Sequence, residues 1–154
     1  MRIPVAEQVE RARRGRHERL IGRLPSGWLC LGSYQFLPGY CVLIADPVVE
    51  SLNALDPALR TRFLLDMAAI GDALLAVTDA WLINYAILGN GDPTLHAHLQ
   101  PRYQSEAAEF RRGPVDRYDA ALIEAVPFEL ERDRPLMQAI RRELEAAGLV
   151  AERE

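Results

Sequence analysis

The stretch "GDPTLHAHLQPRY", from Gly91 to Tyr103, places two of the three histidines of the chain one residue apart in an alternating run. Successive side chains of a β-strand project to opposite faces of the sheet. A strand over residues 94–100 therefore separates the polar side chains of this run from the apolar ones. The polar face carries Thr94, His96, His98 and Gln100, and the opposite face carries Leu95, Ala97 and Leu99. We predict that the apolar face packs under a helix and that the polar face is open.

The neighbouring segments supply the rest of a sheet. "WLINYAILG" (81–89) has the composition of a strand, and the tight connection "NGDP" (90–93) makes it antiparallel to the strand with the histidines. Further upstream, "GWLCLGSY" (27–34) and "GYCVLIAD" (39–46) are two more β-rich runs. The turn signal Pro38-Gly39 lies between them, so we predict that they pair as neighbouring strands.

A long helix between these two pairs of strands is the clearest element of the sequence. Asp56 can cap its first turn, and Pro57 fits the first helical position, where a missing N–H costs nothing. From there to Thr78, apolar residues recur at steps of three and four, as they do on one face of a helix. These residues are Leu59, Phe63, Met67, Ile70, Leu74 and Val77.

The order strand, strand, helix, strand, strand predicts an α+β fold, in which an antiparallel sheet carries the long helix on one face. We expect a further helix over residues 5–21 and a C-terminal helix within residues 134–148. Asp133 and Pro135 lie at the predicted start of the latter, and Gly148 lies at its end. No linker or repeat divides the chain, so we predict a single domain over residues 1–154. Its core spans residues 26–103, with an N-terminal helical extension (1–25) and a C-terminal extension (104–154).

The composition excludes several classes of protein. A chain of 154 residues with 49% hydrophobic and 26% charged residues fits one globular domain. No stretch is apolar and long enough to cross a bilayer, and the first residues lack the apolar segment of a signal peptide, so we predict a cytoplasmic protein with no membrane partner. The formal net charge of −4 argues against nucleic acid as a partner.

Two smaller features concern arginine and cysteine. We expect the five arginines near the N-terminus to coat a solvated helix, and we expect the two cysteines to be buried, reduced thiols in apolar runs. A contribution of the cysteines to a zinc site is the alternative. The residues are Arg11, Arg13, Arg14, Arg16 and Arg19, and Cys30 and Cys41.

The spacing His-x-His by itself leaves three interpretations open. Two imidazoles with polar neighbours on one strand face could combine a nucleophilic nitrogen with a hydrogen-bond donor to an anionic oxygen. They could also be two ligands of a zinc ion with a distant third ligand. Finally, they could be exposed or structurally satisfied histidines without a chemical role.

The flanking residues favour the first interpretation. Gly89-Asn90 before the turn, Pro93 before the strand and Pro101-Arg102-Tyr103 after it resemble the histidine-triad (HIT) family, whose motif is His-φ-His-φ-His-φ-φ with φ an apolar residue. Upstream, "LPGYCVLI" is similar to the Pro-Gly-His-φ-φ-φ-φ segment of that family, and the helix from Asp56 to Thr78 occupies the position of its helix. The resemblance covers about residues 26–103.

The resemblance implies a role for each polar residue of the stretch. His96 matches the central histidine, which attacks the α-phosphorus of a nucleotide conjugate to give a nucleotidyl-histidine intermediate. A backbone carbonyl near residue 94 would orient its ring. His98 matches the third histidine and would donate to a phosphate oxygen, and Asn90 would hold another. Gln100 and Ser33 complete the expected substrate-binding residues.

One position departs from the family. Thr94 stands where the first histidine is expected, and Gln100 stands where the family has an apolar residue. A threonine hydroxyl can donate and accept hydrogen bonds, but it cannot act as a base near neutral pH. The departure implies either a slower or narrower enzyme or a nucleotide-binding relative without activity.

A second alignment of the motif is also open. It sets "HAHLQ" against the His-x-His-x-Gln variant of the galactose-1-phosphate uridylyltransferase and dinucleoside-polyphosphate phosphorylase branch, which would make His98 the nucleophile. We prefer His96, because both branches place a proline five residues after the nucleophile and Pro101 satisfies this spacing.

The sequence therefore predicts a nucleotide-conjugate hydrolase or nucleotidyltransferase with His96, His98 and Thr94 at its catalytic centre, and with no cofactor and no metal. The alternatives are a weak or inactive nucleotide-binding protein, a phosphorylase-like enzyme that uses His98, and a metal-binding module. The resemblance also implies a homodimer formed through the long helix and the adjoining sheet edge. Leu64 and Leu75 lie outside the main apolar stripe of that helix, in keeping with this interface.

Overall fold

A five-stranded antiparallel sheet, with helices on both faces, forms the fold in the computed structural model, which describes residues 2–151. The strands follow the spatial order β1-β2-β3-β5-β4. They are β1 (Leu20–Leu24), β2 (Gly27–Leu31), β3 (Cys41–Ala45), β4 (Leu82–Ala86) and β5 (His96–Arg102). The helices are α1 (Val5–Arg13), α2 (Pro57–Val77), α3 (Ala108–Arg111), α4 (Ala120–Glu124) and α5 (Leu130–Ala146). This arrangement confirms the predicted α+β class.

Strand β5 lies inside the sheet and is paired on both sides. His98 is opposite Val42 of β3 on one side and opposite Ala86 of β4 on the other. The strand continues past residue 100 to Arg102, because β4 still pairs with it there. The pairing with β3 ends at Leu99, so Pro101 lies where one side of the strand is open and its missing N–H breaks no ladder bond.

Helix α2 packs on the predicted face of the sheet. It begins as expected, since the side chain of Asp56 accepts a hydrogen bond of 2.9 Å from the backbone N–H of Leu59 and Pro57 occupies the first turn. Its apolar stripe forms one buried cluster with the odd-numbered residues of β5. The fully buried members of this cluster include Phe63, Ile70, Leu74, Ala97 and Leu99.

The N-terminal part of the chain differs from the prediction of a helix over residues 5–21. Helix α1 ends at Arg13, and Gly15 adopts a positive φ of 65° that turns the chain out of the helix. Residues 20–24, which belong to the predicted helical extension, instead form β1, an edge strand paired with β2. Their pairing partner lies only a short turn away, which favours a hairpin over a longer helix.

Helix α1 covers the face of the sheet opposite α2. Val5 and Val9 are buried and form a second apolar cluster with Ile44 of β3, against which Trp28 and Val42 also pack. The sheet is therefore enclosed between α1 on one side and α2 with α5 on the other.

The C-terminal extension contains more helix than predicted. Helix α5 begins at Leu130, about one turn before the predicted start, and Pro135 lies inside it. The carboxylate of Asp133 accepts a hydrogen bond from the backbone N–H of Glu129 at 2.9 Å and so closes the first turn from within the helix. The predicted end is confirmed, since Gly148 has a positive φ of 73° after the last helical residue, Ala146. Of the helices in residues 2–151, none is long and apolar enough to cross a membrane.

A buried carboxylate joins α2 to the first hairpin. Asp66 is fully buried, and it accepts hydrogen bonds from the backbone N–H and the hydroxyl of Ser26 at 2.9 and 2.6 Å. Arg62, one turn earlier in α2, supplies the opposite charge at 2.7 Å. Ser26 lies in the turn between β1 and β2, so this carboxylate fixes the hairpin against the helix.

The substitution Asp66→Ala should lower the free energy of unfolding by about 3–5 kcal/mol, because it leaves the buried donors of Ser26 without an acceptor and separates Arg62 from its partner. The control is Glu143→Ala on the exposed side of α5, which should change stability by less than about 0.5 kcal/mol. Urea denaturation followed by circular dichroism measures both. Equal losses in the two variants would contradict the assignment.

Candidate functional site

His96 and His98 face a cavity of about 590 Å³ between the sheet, the N-terminal segment and residues 115–124. Strands β2, β3 and β5 form its floor. Its walls are the N-terminal segment and the segment 115–124. The polar lining side chains are Arg2, Gln8, Arg19, Ser33, Tyr34, Tyr40, His96, His98 and Glu124. A protein with a net charge of −4 thus has a cavity lined by two arginines and one carboxylate.

The ring of His96 is held by the backbone. Its Nδ1 atom lies 2.6 Å from the carbonyl oxygen of Thr94. A carbonyl oxygen only accepts, so Nδ1 carries the hydrogen, and in the neutral ring the lone pair is on Nε2. The side chain of His96 is buried, and its ring lies edge-on to that of His98 with centroids 5.0 Å apart.

His98 is held by a side chain instead. Its Nδ1 atom lies 2.7 Å from the hydroxyl oxygen of Tyr40, and that oxygen also accepts a hydrogen bond of 3.3 Å from the amide of Gln100. Burial, together with the nearby His96 and Arg2, lowers the pKa of His98 from 6.5 to about 4. His98 is therefore neutral at physiological pH and carries one ring hydrogen.

Asp92 connects the loop before β5 to the start of α1. One carboxylate oxygen accepts from the backbone N–H of Val5 at 2.8 Å, and the other accepts from the backbone N–H of Thr94 at 3.1 Å. Burial would raise the pKa of Asp92, but these hydrogen bonds hold it below its ordinary value. The same carboxylate thus positions both the carbonyl that orients His96 and the helix that covers the cavity.

The structure brings together only some of the residues that the sequence predicts for the site. His96, His98 and Ser33 line the cavity. Thr94 contributes its backbone carbonyl to His96 but is not among the lining residues, and Asn90 is exposed in the loop. Gln100 lies on the histidine face as predicted, yet its amide contacts Tyr40 and it borders a separate open groove beside β4.

Two further residues of the site were not predicted. Tyr40 follows Pro38-Gly39 at the position where the resemblance has a histidine, so the alignment could have indicated it. Arg19 was expected to coat a solvated helix with the other arginines of its cluster. It is instead half-buried beside β1 and lines the cavity, because the helix ends before it.

The Pro-Arg-Tyr sequence after the histidines has a positioning role. Arg102 is buried and forms an ion pair of 2.9 Å with Glu106, which also accepts from the hydroxyl of Tyr118 at 2.7 Å. The guanidinium donates further hydrogen bonds to the carbonyl oxygens of Phe110 and Gly113. This network fixes the segment that leads to the wall of the cavity.

No model of a known protein family and no curated protein matches the chain. Solved structures do. A histidine triad protein from Bradyrhizobium japonicum has a TM-score of 0.69 and 23% identity, with 82% of this chain and 91% of that chain covered. A hypothetical histidine triad nucleotide-binding protein from Sulfolobus tokodaii has a TM-score of 0.68 and 14% identity, with 91% and 92% covered. A zinc-bound histidine triad family protein from Mycobacterium smegmatis has a TM-score of 0.60 and 19% identity, with 83% and 86% covered.

The chain has the histidine-triad fold. The match extends over most of each neighbour, and it confirms the fold that the resemblance implied. At these identities the likeness concerns the fold alone, so the chemistry of the site rests on the residues described above.

A zinc site at the paired histidines would need a third ligand close by. Within residues 2–151, no group of three or more His, Cys, Asp or Glu side chains is placed to hold a metal ion. Cys30 and Cys41 are buried, as expected for structural thiols, and burial raises the pKa of Cys30 to about 12.

The environment of His98 predicts a specific pH dependence. Above a pH of about 6.5 the ring is neutral in both the folded and the unfolded chain. Between about 6.5 and about 4, the unfolded chain binds a proton at this ring and the folded protein does not, so the free energy of unfolding should fall as the pH falls through this range. His17, whose pKa burial also lowers to about 4, should add to the same slope.

Nuclear magnetic resonance of the imidazole protons measures this directly. The His98 resonance should titrate with a midpoint near 4, and His98→Asn should remove its share of the acid destabilisation while His17→Asn removes the other share. A midpoint near 6.5 for His98 would show that the ring is solvated and that the cavity is more open than described.

Proposed function

We propose that the protein is a nucleotide-binding member of the histidine-triad family that cleaves nucleotide conjugates at the α-phosphate through His96. The observation that carries this proposal is the pairing of His96, whose Nδ1 is tied to the Thr94 carbonyl, with a neutral His98 on the same wall of a cavity that contains two arginines. The Sulfolobus neighbour, which is named as nucleotide-binding, supports the choice of ligand.

The reaction follows from the two ring nitrogens of His96. Its Nε2 lone pair attacks the α-phosphorus, a bond forms between nitrogen and phosphorus, and the bond from phosphorus to the leaving group breaks with its electron pair. The ring then carries a positive charge, which the hydrogen bond from Nδ1 to the Thr94 carbonyl stabilises. In the second step water attacks the same phosphorus. A bond forms between oxygen and phosphorus, and the bond from phosphorus to Nε2 breaks with its electron pair returning to the ring, which becomes neutral. The nucleotide is released, and the proton of the attacking water passes to the solvent.

His98 would stabilise the negative charge on the phosphoryl oxygens. The Tyr40 hydroxyl already accepts from Gln100 and is free to donate its hydrogen to Nδ1 of His98. The single hydrogen of the neutral ring is then on Nε2, from which it can be donated to a phosphate oxygen. Gln100 and Tyr40 therefore act as positioning residues for His98. This role accounts for a polar side chain at residue 100, where the family has an apolar one.

Thr94 supports a second candidate function. Its hydroxyl lies outside the cavity lining and cannot act as a base near neutral pH, so the leaving group lacks the proton donor that a first histidine would provide. If the leaving group needs that proton, the protein binds nucleotides but has weak activity or none, which is the second candidate function. Good leaving groups, such as phosphates, depend least on it.

The hydrogen bonds also favour His96 over His98 as the nucleophile. The family places a backbone carbonyl behind its nucleophilic ring, and His96 has this contact. His98 has a tyrosine hydroxyl there instead.

The substitution His96→Asn should reduce turnover of a nucleotide conjugate at least about a thousandfold, because the attacking nitrogen is lost. Nucleotide affinity should stay within about tenfold, since other groups make most ground-state phosphate contacts. A screen of dinucleoside polyphosphates, nucleoside phosphoramidates and sugar nucleotides supplies the substrate. The control is Gln138→Asn, an exposed residue of α5 outside the cavity lining.

A covalent adduct identifies the nucleophile independently. Rapid denaturation of the wild-type protein during turnover, without acid, should leave a nucleotide on His96 in the peptide spanning residues 82–102. An adduct on His98 would support the phosphorylase-like alignment. Nucleotide binding with no turnover of any conjugate would leave the second candidate function.

We further propose that the protein is a homodimer. Seven of the eleven exposed large apolar side chains of residues 2–151 lie on α2, on β4 or beside β4. The outer edge of β4 has no partner strand within the described part of the chain. Tyr85 of β4 lies against Gly71 of α2, which makes the two exposed surfaces continuous. The seven residues are Leu64, Leu65, Leu75, Trp81, Leu82, Tyr85 and Leu88.

Light scattering at micromolar concentration should give twice the chain mass of 17.3 kDa. The substitution Leu64→Glu places a charge in the proposed interface and should shift the mass towards that of one chain, because the exposed apolar face is then interrupted. Arg14→Glu, directly after the distant helix α1, is the charge-changing control. A single-chain mass for the wild-type protein would remove the dimer.

A further inference from the structure

The cavity has a second polar end, formed around Arg19. The guanidinium donates from Nε to the Leu31 carbonyl at 3.1 Å, from Nη1 to the hydroxyl of Ser33 at 3.2 Å, and from Nη2 to the amide oxygen of Gln8 at 3.2 Å. These three contacts come from β2, the loop after it and α1. They hold the guanidinium in place at the edge of the cavity.

The contacts of Arg19 leave it with donors to spare. A guanidinium has five N–H donors, and the three hydrogen bonds above use three of them. All three acceptors are neutral, and no ion pair of Arg19 with a carboxylate is present in the described part of the chain. A half-buried guanidinium with two unused donors at a cavity wall is suited to bind electron-rich acceptors of a ligand.

The sheet gives the distance between the two ends of the cavity. The backbone of Arg19 is hydrogen-bonded to Leu31 of β2, and β3 lies between β2 and the strand that carries His98. The backbones of Arg19 and His98 are thus about three strand spacings apart, or about 14 Å. Between them the floor is apolar, with the side chains of Val42 and Ile44.

We propose that Arg19 recognises the base of the bound nucleotide and selects guanine. This inference rests on the proposed function, which places the phosphate at His96 and His98. The base edge is the part of a nucleotide furthest from its phosphate, and the apolar floor fits the flat faces of the ribose and base. The end of the cavity with the spare donors therefore meets the base edge.

The chemistry of the bases explains the choice of guanine. Its O6 and N7 atoms are two adjacent acceptors that match a guanidinium fork in a bidentate contact. Adenine offers N7 as an acceptor, but its N6 amino group is a donor and would face the donors of Arg19. Arg19 thus discriminates between the two purines, whereas a purely apolar pocket would accept both.

The test compares the Kd values of GMP and AMP by calorimetry for the wild-type protein and for Arg19→Lys. The wild-type protein should bind GMP about tenfold more tightly than AMP. Lysine keeps the charge but loses the fork, so this preference should fall to less than about threefold while the Kd of AMP changes little. Arg16→Lys, from the same arginine cluster but exposed, should behave as the wild type.

The outcomes separate the inference from the proposed function. If the wild-type protein binds GMP and AMP with equal affinity, or prefers AMP, the role of Arg19 is overturned. This outcome requires measurements on the wild-type protein alone. Tighter binding of adenosine 3′,5′-bisphosphate than of either mononucleotide, lost in the neutral variant Arg19→Gln, shows that Arg19 holds a second phosphate, which also overturns it. If the protein binds none of these nucleotides, both the proposed function and this inference are wrong. Unchanged AMP affinity in Arg19→Lys shows that the cavity is intact.

Discussion

The burial of Leu95, Ala97 and Leu99 under α2 is the constraint on which the site depends. Side chains alternate between the two faces along a strand. Because these three lie on the helix side, the imidazoles of His96 and His98 lie on the opposite face. A slip of one residue would place both imidazoles in the apolar core and remove the core side chains from it. Pairing with β3 on one side and β4 on the other prevents such a slip. The packing of the core therefore determines the face of the sheet on which the two histidines lie.

The N-terminal segment and residues 115–124 enclose the cavity over this face. Asp92 holds the start of α1 next to the loop before β5, and the buried pair of Arg102 and Glu106 holds the segment that follows the same strand. Both contacts flank β5, so the strand that carries the histidines also anchors the parts that enclose them. In each case a carboxylate accepts several hydrogen bonds at once, which makes its contacts directional as well as strong. The site thus combines a rigid floor with walls attached at two points.

The sequence predicts most strongly where a long periodic pattern coincides with burial, as in α2 and in the alternation of β5. It fails where local preference and tertiary contacts disagree. The charged run before Leu20 favours a helix by composition, but β1 forms because β2 offers it a partner across a short turn. Arg19 was assigned to a solvated face for the same reason. Pro135 indicated a helix start that in fact lies one turn earlier at Leu130. The hydrogen bond of Tyr40 with His98 joins residues far apart in sequence, and no local pattern contains it.

The position of Arg2 in the cavity lining has a practical consequence for anyone who purifies this protein. Residues left over from an affinity tag or a protease site at this end of the chain are therefore attached to a segment that lines the binding surface. A leftover histidine run there would add imidazoles beside the native pair, and a leftover acidic run would compete with an anionic ligand for the arginines. The segment around Val150 packs near Gly22 of β1, three strands away from β5. A fusion at the C-terminus therefore leaves the chemistry of the site as the chain itself provides it.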